Sequence, residues 1–373
     1  MAIAASSFAP GAMAIDLCAG LPTPTVNTAT PGDNCSLDTV GAVLTVTSTG
    51  GIDSGVLATV TGVSINNAGS LAGATTAVRF QGVGLDAATT LTNSGSILVA
   101  GGSNAHALRI DGSVDGALIN SGTVGAQASA GTSYQAFAFA YAYGLDVGDI
   151  AGAVTNSGTI SADASANASS YAYAYADGVS AGNISGTGVL TNNGSIRASA
   201  QADDSARAHG ISLGNLGDDA QLINNGRISA AVTVTGNSSA DVYGIYSNNL
   251  SNNAQIINNG QIKADAFASN GGSAYAYGIR ARDLNDAASI RNTGSINVSA
   301  AAENSQVIAH GIRADGLYGT STVNNSGSIQ VSAQAQNSYA YAYGIRTADL
   351  SNATSVGNTG SIEVSAVSED GGG

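Results

Sequence analysis

The sequence predicts an all-β chain wound as a parallel β-helix, a solenoid of about ten stacked repeats of roughly 26–36 residues. Three observations predict it. A four-position motif returns ten times, the residues around it alternate as strands do, and the composition is unlike that of an ordinary globular domain.

The motif reads aliphatic-x-Asn-x-Gly-x-aliphatic. Its asparagines are Asn67, Asn93, Asn120, Asn156, Asn192, Asn224, Asn258, Asn292, Asn325 and Asn358. Its glycines are Gly69, Gly95, Gly122, Gly158, Gly194, Gly226, Gly260, Gly294, Gly327 and Gly360. Aliphatic residues flank every copy, from Ile65 and Leu71 in the first to Val356 and Ile362 in the last. The glycines are 26, 27, 36, 36, 32, 34, 34, 33 and 33 residues apart. A second glycine lies between them, as in Tyr-Gly-Ile or His-Gly-Ile, at positions such as Gly178, Gly210, Gly244 and Gly278. From Gly178 onward the step to the next motif glycine is always 16 residues, whereas the other half of the repeat varies from 16 to 22. One half is a fixed register, and the other absorbs loops or strand extensions.

Helical solenoids have similar periods and must be excluded. The segments Gly-Ser-Ile-x-Val-Ser-Ala and Ala-Tyr-Ala-Tyr-Gly-Ile alternate with period two and are rich in β-branched and aromatic residues, which is strand behaviour. A glycine inside each helix would cost about 1 kcal/mol. Stacked strands lie about 4.8 Å apart, so equivalent residues of successive coils form columns. Asparagine in such a column makes an amide ladder, each side chain donating one way and accepting the other. The glycine two places on is expected at a corner of positive φ. The short repeats favour one coil per repeat over two, since trimming a loop is easier than removing part of a coil. The rod would then be about 50 Å long by strand spacing.

The 373 residues include 50 Gly and no Trp, and only 10% are charged, against about 25% in ordinary domains. Disorder does not fit either, because 43% of residues are hydrophobic and only 4 are Pro. The formal net charge of −14, with Lys263 the single lysine, disfavours nucleic acid as a partner.

Three segments are expected. Residues 1–14 end in Ala12-Met13-Ala14 and read as a signal-peptide remnant or an ordinary N-terminus. Residues 15–48 depart from the repeat and would cap the open end of the stack. They hold Cys18 and Cys35, a candidate disulfide, the other reading being two free thiols. Residues 49–373 are the solenoid, expected to stop uncapped, so that the chain continues further or docks onto something. No apolar run approaches the roughly 18–20 residues of a membrane-spanning helix.

The aromatic tracts are the candidate functional feature. Phe137, Phe139, Tyr141 and Tyr143 form one, and Tyr171, Tyr173 and Tyr175 another. Tyr243, Tyr275, Tyr277, Tyr339, Tyr341 and Tyr343 continue the series. Spacing by two puts the rings of each tract on one strand face and alanine on the other. They are either an exposed stripe for carbohydrate, cell surfaces or sister fibres, or internal packing. Packing is favoured, because Ile345 and its equivalents share the tyrosines' face by the same spacing. His209 and His310 stand where other repeats have tyrosine, which makes them column members rather than zinc ligands. Arg280, Arg313 and Arg346 form a short column expected to serve solubility and salt bridging. Asp203-Asp204 and Asp218-Asp219 fall in loop-like segments. No catalytic constellation, cofactor site or metal site is expected, calcium-binding Gly-Gly-x-Gly-x-Asp repeats being absent from the sequence, and the chain does not read as an enzyme. A polysaccharide-cleaving β-helix is the least favoured alternative.

The runs Leu190-Thr191-Asn192-Asn193-Gly194-Ser195-Ile196 and Val154-Thr155-Asn156-Ser157-Gly158-Thr159-Ile160 resemble the repeats of autotransporter passenger domains, the exported part of type V secretion proteins in Gram-negative bacteria. Filamentous-haemagglutinin-like exoproteins use similar repeats. The resemblance covers roughly residues 60–366. It implies a right-handed parallel β-helix, carried out by outer-membrane transport machinery and displayed for adhesion, aggregation or biofilm. The implied partners are a host or bacterial cell surface, a glycan, or further copies of the chain. A self-assembling extracellular fibre or surface-layer subunit, stacking end to end, is the alternative. Nothing after Gly360 offers the alternating membrane strands of a barrel, so the chain is not expected to span the membrane itself.

Overall fold

The structure is a computed structural model and describes residues 16–30, 32–131 and 137–369. The expected signal-peptide remnant lies outside the described residues. Each coil is built from three strands. A representative one has the short strand Gln221–Asn224, a corner at Asn225-Gly226, the strand Arg227–Val234 and the long strand Ala240–Leu250. Among the described residues, equivalent strands of successive coils pair in parallel and form three sheets of twelve, twelve and eleven strands. One repeat is therefore one coil. The register is residue on residue, so Asn192, Asn224 and Asn258 are consecutive neighbours. A fourth line of single bridges runs Leu85, Val114, Ile150, Ile184, Leu216 and Leu250 through the loops that return to the first sheet. Among the described residues no helix is long and apolar enough to cross a membrane.

Alternation explains the core. Leu222 and Ile228, on either side of the motif, are fully withdrawn from solvent, as are their equivalents in the coils above and below. Each such side chain contributes roughly 1.5–3 kcal/mol by burial. Between the second and third sheets the interior is filled largely by alanine, for example Ala230, Ala240 and Ala264.

The solenoid reaches back past residue 49. Strands Thr25–Val26, Ala29–Thr30 and Cys35–Leu37 begin the three sheets, and Val43–Val46, Gly51–Ile52 and Val56–Ala58 follow. Val26 and Val46 occupy the column that asparagine fills from Asn67 onward. These two coils carry valine in place of the asparagine and are shorter, which is why the repeat is invisible there. Cys18 and Cys35, both buried, form a disulfide across 17 positions of the first coil. Closing a loop of that size removes unfolded-chain entropy worth about 3 kcal/mol. Burial pushes the neighbouring Asp16 carboxyl up, but bonds from Ser36 and the Cys18 and Ala19 amides outweigh it and hold it below its usual range. The Cys18–Cys35 disulfide is of a kind that persists in an oxidising compartment, and it hints at a location outside a reducing cytoplasm.

The motif glycines do not have positive φ, contrary to expectation; the positive-φ glycines lie elsewhere, at Gly186 and Gly319 for instance. The requirement is close approach. A Cβ on Gly226 would collide with the carbonyl oxygen of Gly194 in the coil before, and each later motif glycine meets its predecessor in the same way.

Candidate functional site

Two columns of side chains run from coil to coil, one inside and one outside. Inside the first corner the asparagines form an unbroken amide ladder. Asn192 Nδ2 donates to Asn224 Oδ1 at 2.8 Å, and Asn224 Nδ2 to Asn258 Oδ1 at 2.7 Å. The same bond joins every consecutive pair from Asn67 to Asn358, at 2.6–2.8 Å. Each amide from Asn67 to Asn325 donates a second bond into the next coil, as from Asn192 to the Arg227 carbonyl at 3.2 Å. A buried amide needs such partners, and here the stack supplies them. This ladder holds coils together and is closed to ligands.

The aromatic tracts face the other way. Ala274, Ala276, Ile279 and Ala281 of the strand Ala274–Leu284 lie in the core, while Tyr275 and Arg280 are half-buried on the outer face. The expectation of internal packing is corrected: alanine points inward and tyrosine outward. The inference from Ile345 failed because Gly344 and its equivalents reset the alternation. A Cβ on Gly278 would collide with the core side chain of Ile296, so Gly278 and Ile279 both face inward. The ladder register steps over the glycine accordingly, from Tyr277–His310 to Ile279–Ile312.

Just before this bend, one ring per coil stacks along the outer face. Centroids are 4.5 Å apart for His106–Tyr143, 4.9 Å for His209–Tyr243, 4.9 Å for Tyr243–Tyr277, 5.1 Å for Tyr277–His310 and 4.7 Å for His310–Tyr343. One coil breaks the pattern. Asp177 stands in the ring column between Tyr143 and His209. Tyr175, two residues back on the same face, leans in to bridge them at 5.8 and 5.5 Å. Its hydroxyl donates to Asp177 Oδ2 at 3.0 Å, and His209 Nδ1 lies 2.6 Å from Asp177 Oδ1. Sequence reasoning missed Asp177, although its place directly before Gly178, where other repeats carry Tyr or His, was the available signal. Asp177 is only 1% exposed, so this trio is a satisfied network closed over by its neighbours.

The rings cover one another and are covered by arginine. Arg280 lies 5.3 Å from the Tyr277 centroid, Arg313 5.9 Å from the same ring, and Arg346 5.1 Å from Tyr343. Each such contact is worth about 0.5–1 kcal/mol at an exposed site. Burial, with the Asp241 charge behind it, pushes the Tyr243 hydroxyl up to about 12. Burial and the Asp177 charge hold Tyr143 and Tyr175 well above the usual phenol range. His310 goes the other way: burial, then the charges of Arg313, Arg346 and Arg280, push it down to about 3. It is neutral at neutral pH, and neither ring nitrogen has a hydrogen-bond partner among the described residues.

Away from the stack the rings open to water. Phe137, Phe139 and Tyr171 are 65%, 43% and 36% exposed, and with Tyr141 and Tyr173 they form a grid on two adjacent coils. Phe139–Tyr171 and Tyr141–Tyr173 centroids are each 6.0 Å apart. Tyr339 and Tyr341 form a second open pair, 6.4 Å apart. The acidic pairs bridge coils. Asp203 accepts from Thr235 and the Ala168 amide, Asp204 from the Ala172 amide, and Asp218 and Asp219 from Asn252 and Asn253. Among the described residues no group of three or more His, Cys, Asp or Glu is placed to hold a metal ion.

Compared with protein-family models, with curated protein sequences and with solved structures, the chain matches none.

Proposed function

We propose that the chain is a non-catalytic exoprotein, displayed or released outside a Gram-negative cell, that adheres through the outer aromatic face of its third sheet. The observation that carries this reading is the open ring grid at Phe137, Phe139, Tyr141, Tyr171 and Tyr173. Contiguous apolar rings in water are unfavourable and mark contact surfaces. Planar rings with hydroxyls at their edges suit the apolar faces and hydroxyls of sugars on a glycan or cell surface. The disulfide supports a location in an oxidising compartment. The likeness of the Asn-x-Gly repeats to autotransporter and filamentous-haemagglutinin-like passengers supports export through outer-membrane transport machinery.

The test is binding of purified rods to bacterial or host cells and to immobilised neutral glycans. Replacing Phe137, Phe139 and Tyr171 together by serine is expected to weaken binding at least tenfold, with an unchanged β-type circular dichroism spectrum. Undiminished binding by that variant would overturn the adhesive reading. Concentration-dependent filaments without cell or glycan binding would replace it by a self-assembling fibre.

A further inference from the structure

Just beyond the glycine bend, the register places one outward residue per coil in a column beside the ring stack. Arg79 and Arg109 occupy one end, and Arg280, Arg313 and Arg346 the other. Five of the eleven cationic residues of a chain with net charge −14 thus share a single column. The two ends are not equivalent. Asp111 lies 3.0 Å from Arg79 and 2.7 Å from Arg109, and Asp146 lies 3.8 Å from Arg109, so two arginines meet two carboxylates. At the other end, among the described residues, Asp315 alone pairs with two of the three arginines, 2.6 Å from Arg313 and 3.7 Å from Arg280. Arg346 has no ion pair among the described residues.

The contacts these arginines make leave most of their donors free. Stacking on a tyrosine occupies the face of a guanidinium, whereas its five N–H groups lie around the rim. Arg280 gives Nη1 to the Tyr243 hydroxyl at 3.3 Å and faces Asp315 with Nη2, and Arg313 gives Nε to Asp315 and a further bond to Tyr277. Their side chains are only 26% and 24% exposed, so water screens their charge less than at an open surface. The guanidinium fork matches a carboxylate in two parallel bonds. Tyr343, directly before the bend, carries Arg346 over its ring at 5.1 Å, and the exposed Tyr341 lies one outward position further back on the same strand. The acidity of the rest of the chain repels dense polyanions. Asp283 and Asp349, near Tyr318 further along these strands, limit the excess further.

We infer that the corner formed by Arg280, Arg313 and Arg346 with the adjoining tyrosines binds the carboxylate of a sparsely charged acidic glycan. The site lies several coils from the Phe137 grid, so the two can fail separately. Titration of the full chain with a tetrasaccharide alternating glucuronate and N-acetylglucosamine, followed calorimetrically, tests it. The wild type is expected to bind the tetrasaccharide and not its carboxyl-reduced form. Arg280→Gln with Arg313→Gln should weaken binding at least tenfold, Arg280→Lys with Arg313→Lys less, and Arg79→Gln with Arg109→Gln or the Phe137 grid variant not at all. Equal binding of the reduced sugar, or full binding by the Gln double variant, overturns the inference. So does single-stranded DNA binding as tightly as the sugar, which would make the corner a bare electrostatic patch. Should the Gln double variant melt early, Arg346→Gln decides: a several-fold loss with an unchanged melting curve supports the site, and no loss refutes it.

Discussion

The amide ladder inside the corner and the ring ladder outside the third sheet both place one side chain per coil. The first keeps asparagine in all ten motif copies, whereas the second mixes tyrosine, histidine and, once, aspartate. The difference lies in what each contact demands. A buried amide must donate on one side and accept on the other, and no other side chain of that size does both in that geometry. A stacked ring requires only a flat neighbour at about 5 Å, within the ordinary range for aromatic pairs. Tyrosine and histidine both qualify, and where the ring is missing Tyr175 reaches over from the next outward position.

Breaking the inner ladder is expected to have the largest effect. Asn224→Ala removes the acceptor of Asn192 and the donor to Asn258, leaving buried amide groups unpaired on both sides. Unpaired buried groups cost about 1–3 kcal/mol each, so a loss of roughly 3–5 kcal/mol is expected in urea unfolding at neutral pH. A loss below about 1 kcal/mol would mean that the ladder bonds are replaceable by water.

The outer ladder should show its weakness in acid. His310 has a folded-state pKa near 3 against an ordinary value of 6.5. Above 6.5 it is neutral folded and unfolded, and no penalty arises. As pH falls from 6.5 towards 3, the unfolded chain takes up a proton that the fold refuses, and stability is lost at about 1.4 kcal/mol per pH unit. That amounts to roughly 3 kcal/mol by pH 4. His310→Tyr, which places between Tyr277 and Tyr343 the ring they already have, should remove this loss. Urea midpoints of both proteins at pH 7 and pH 4 measure it, and equal acid sensitivity would refute the assignment to His310. The smallest change expected is for Tyr243→Phe, which keeps the stack and loses only the 3.3 Å contact from Arg280. Its unfolding free energy should differ by less than about 1 kcal/mol.

Much of the fold was legible in the residues. The ten-fold motif specified strands, corner and register, because columns of like residues arise only when coils stack directly, and the short repeats favoured one coil per repeat over two. The two first coils were illegible, since Val26 and Val46 interrupt the asparagine column with a residue that packs and makes no ladder. The motif glycines were placed correctly but for the wrong reason, the collision with the coil below being a contact between residues more than 30 positions apart in most repeats. Asp177 was passed over because a single residue inside an alternating tract reads as variation until the columns are aligned.

Taken alone, the chain's residue order determined that equal positions of the repeat form columns, because four positions kept in ten copies pack consistently only when like residues stack. Which side of the third sheet meets water was decided only by the tertiary structure. A glycine at the bend turns two successive positions inward, and period-two counting carries the wrong face across it. The tyrosines, arginines and open rings that make this face a candidate surface all depend on that one displaced step.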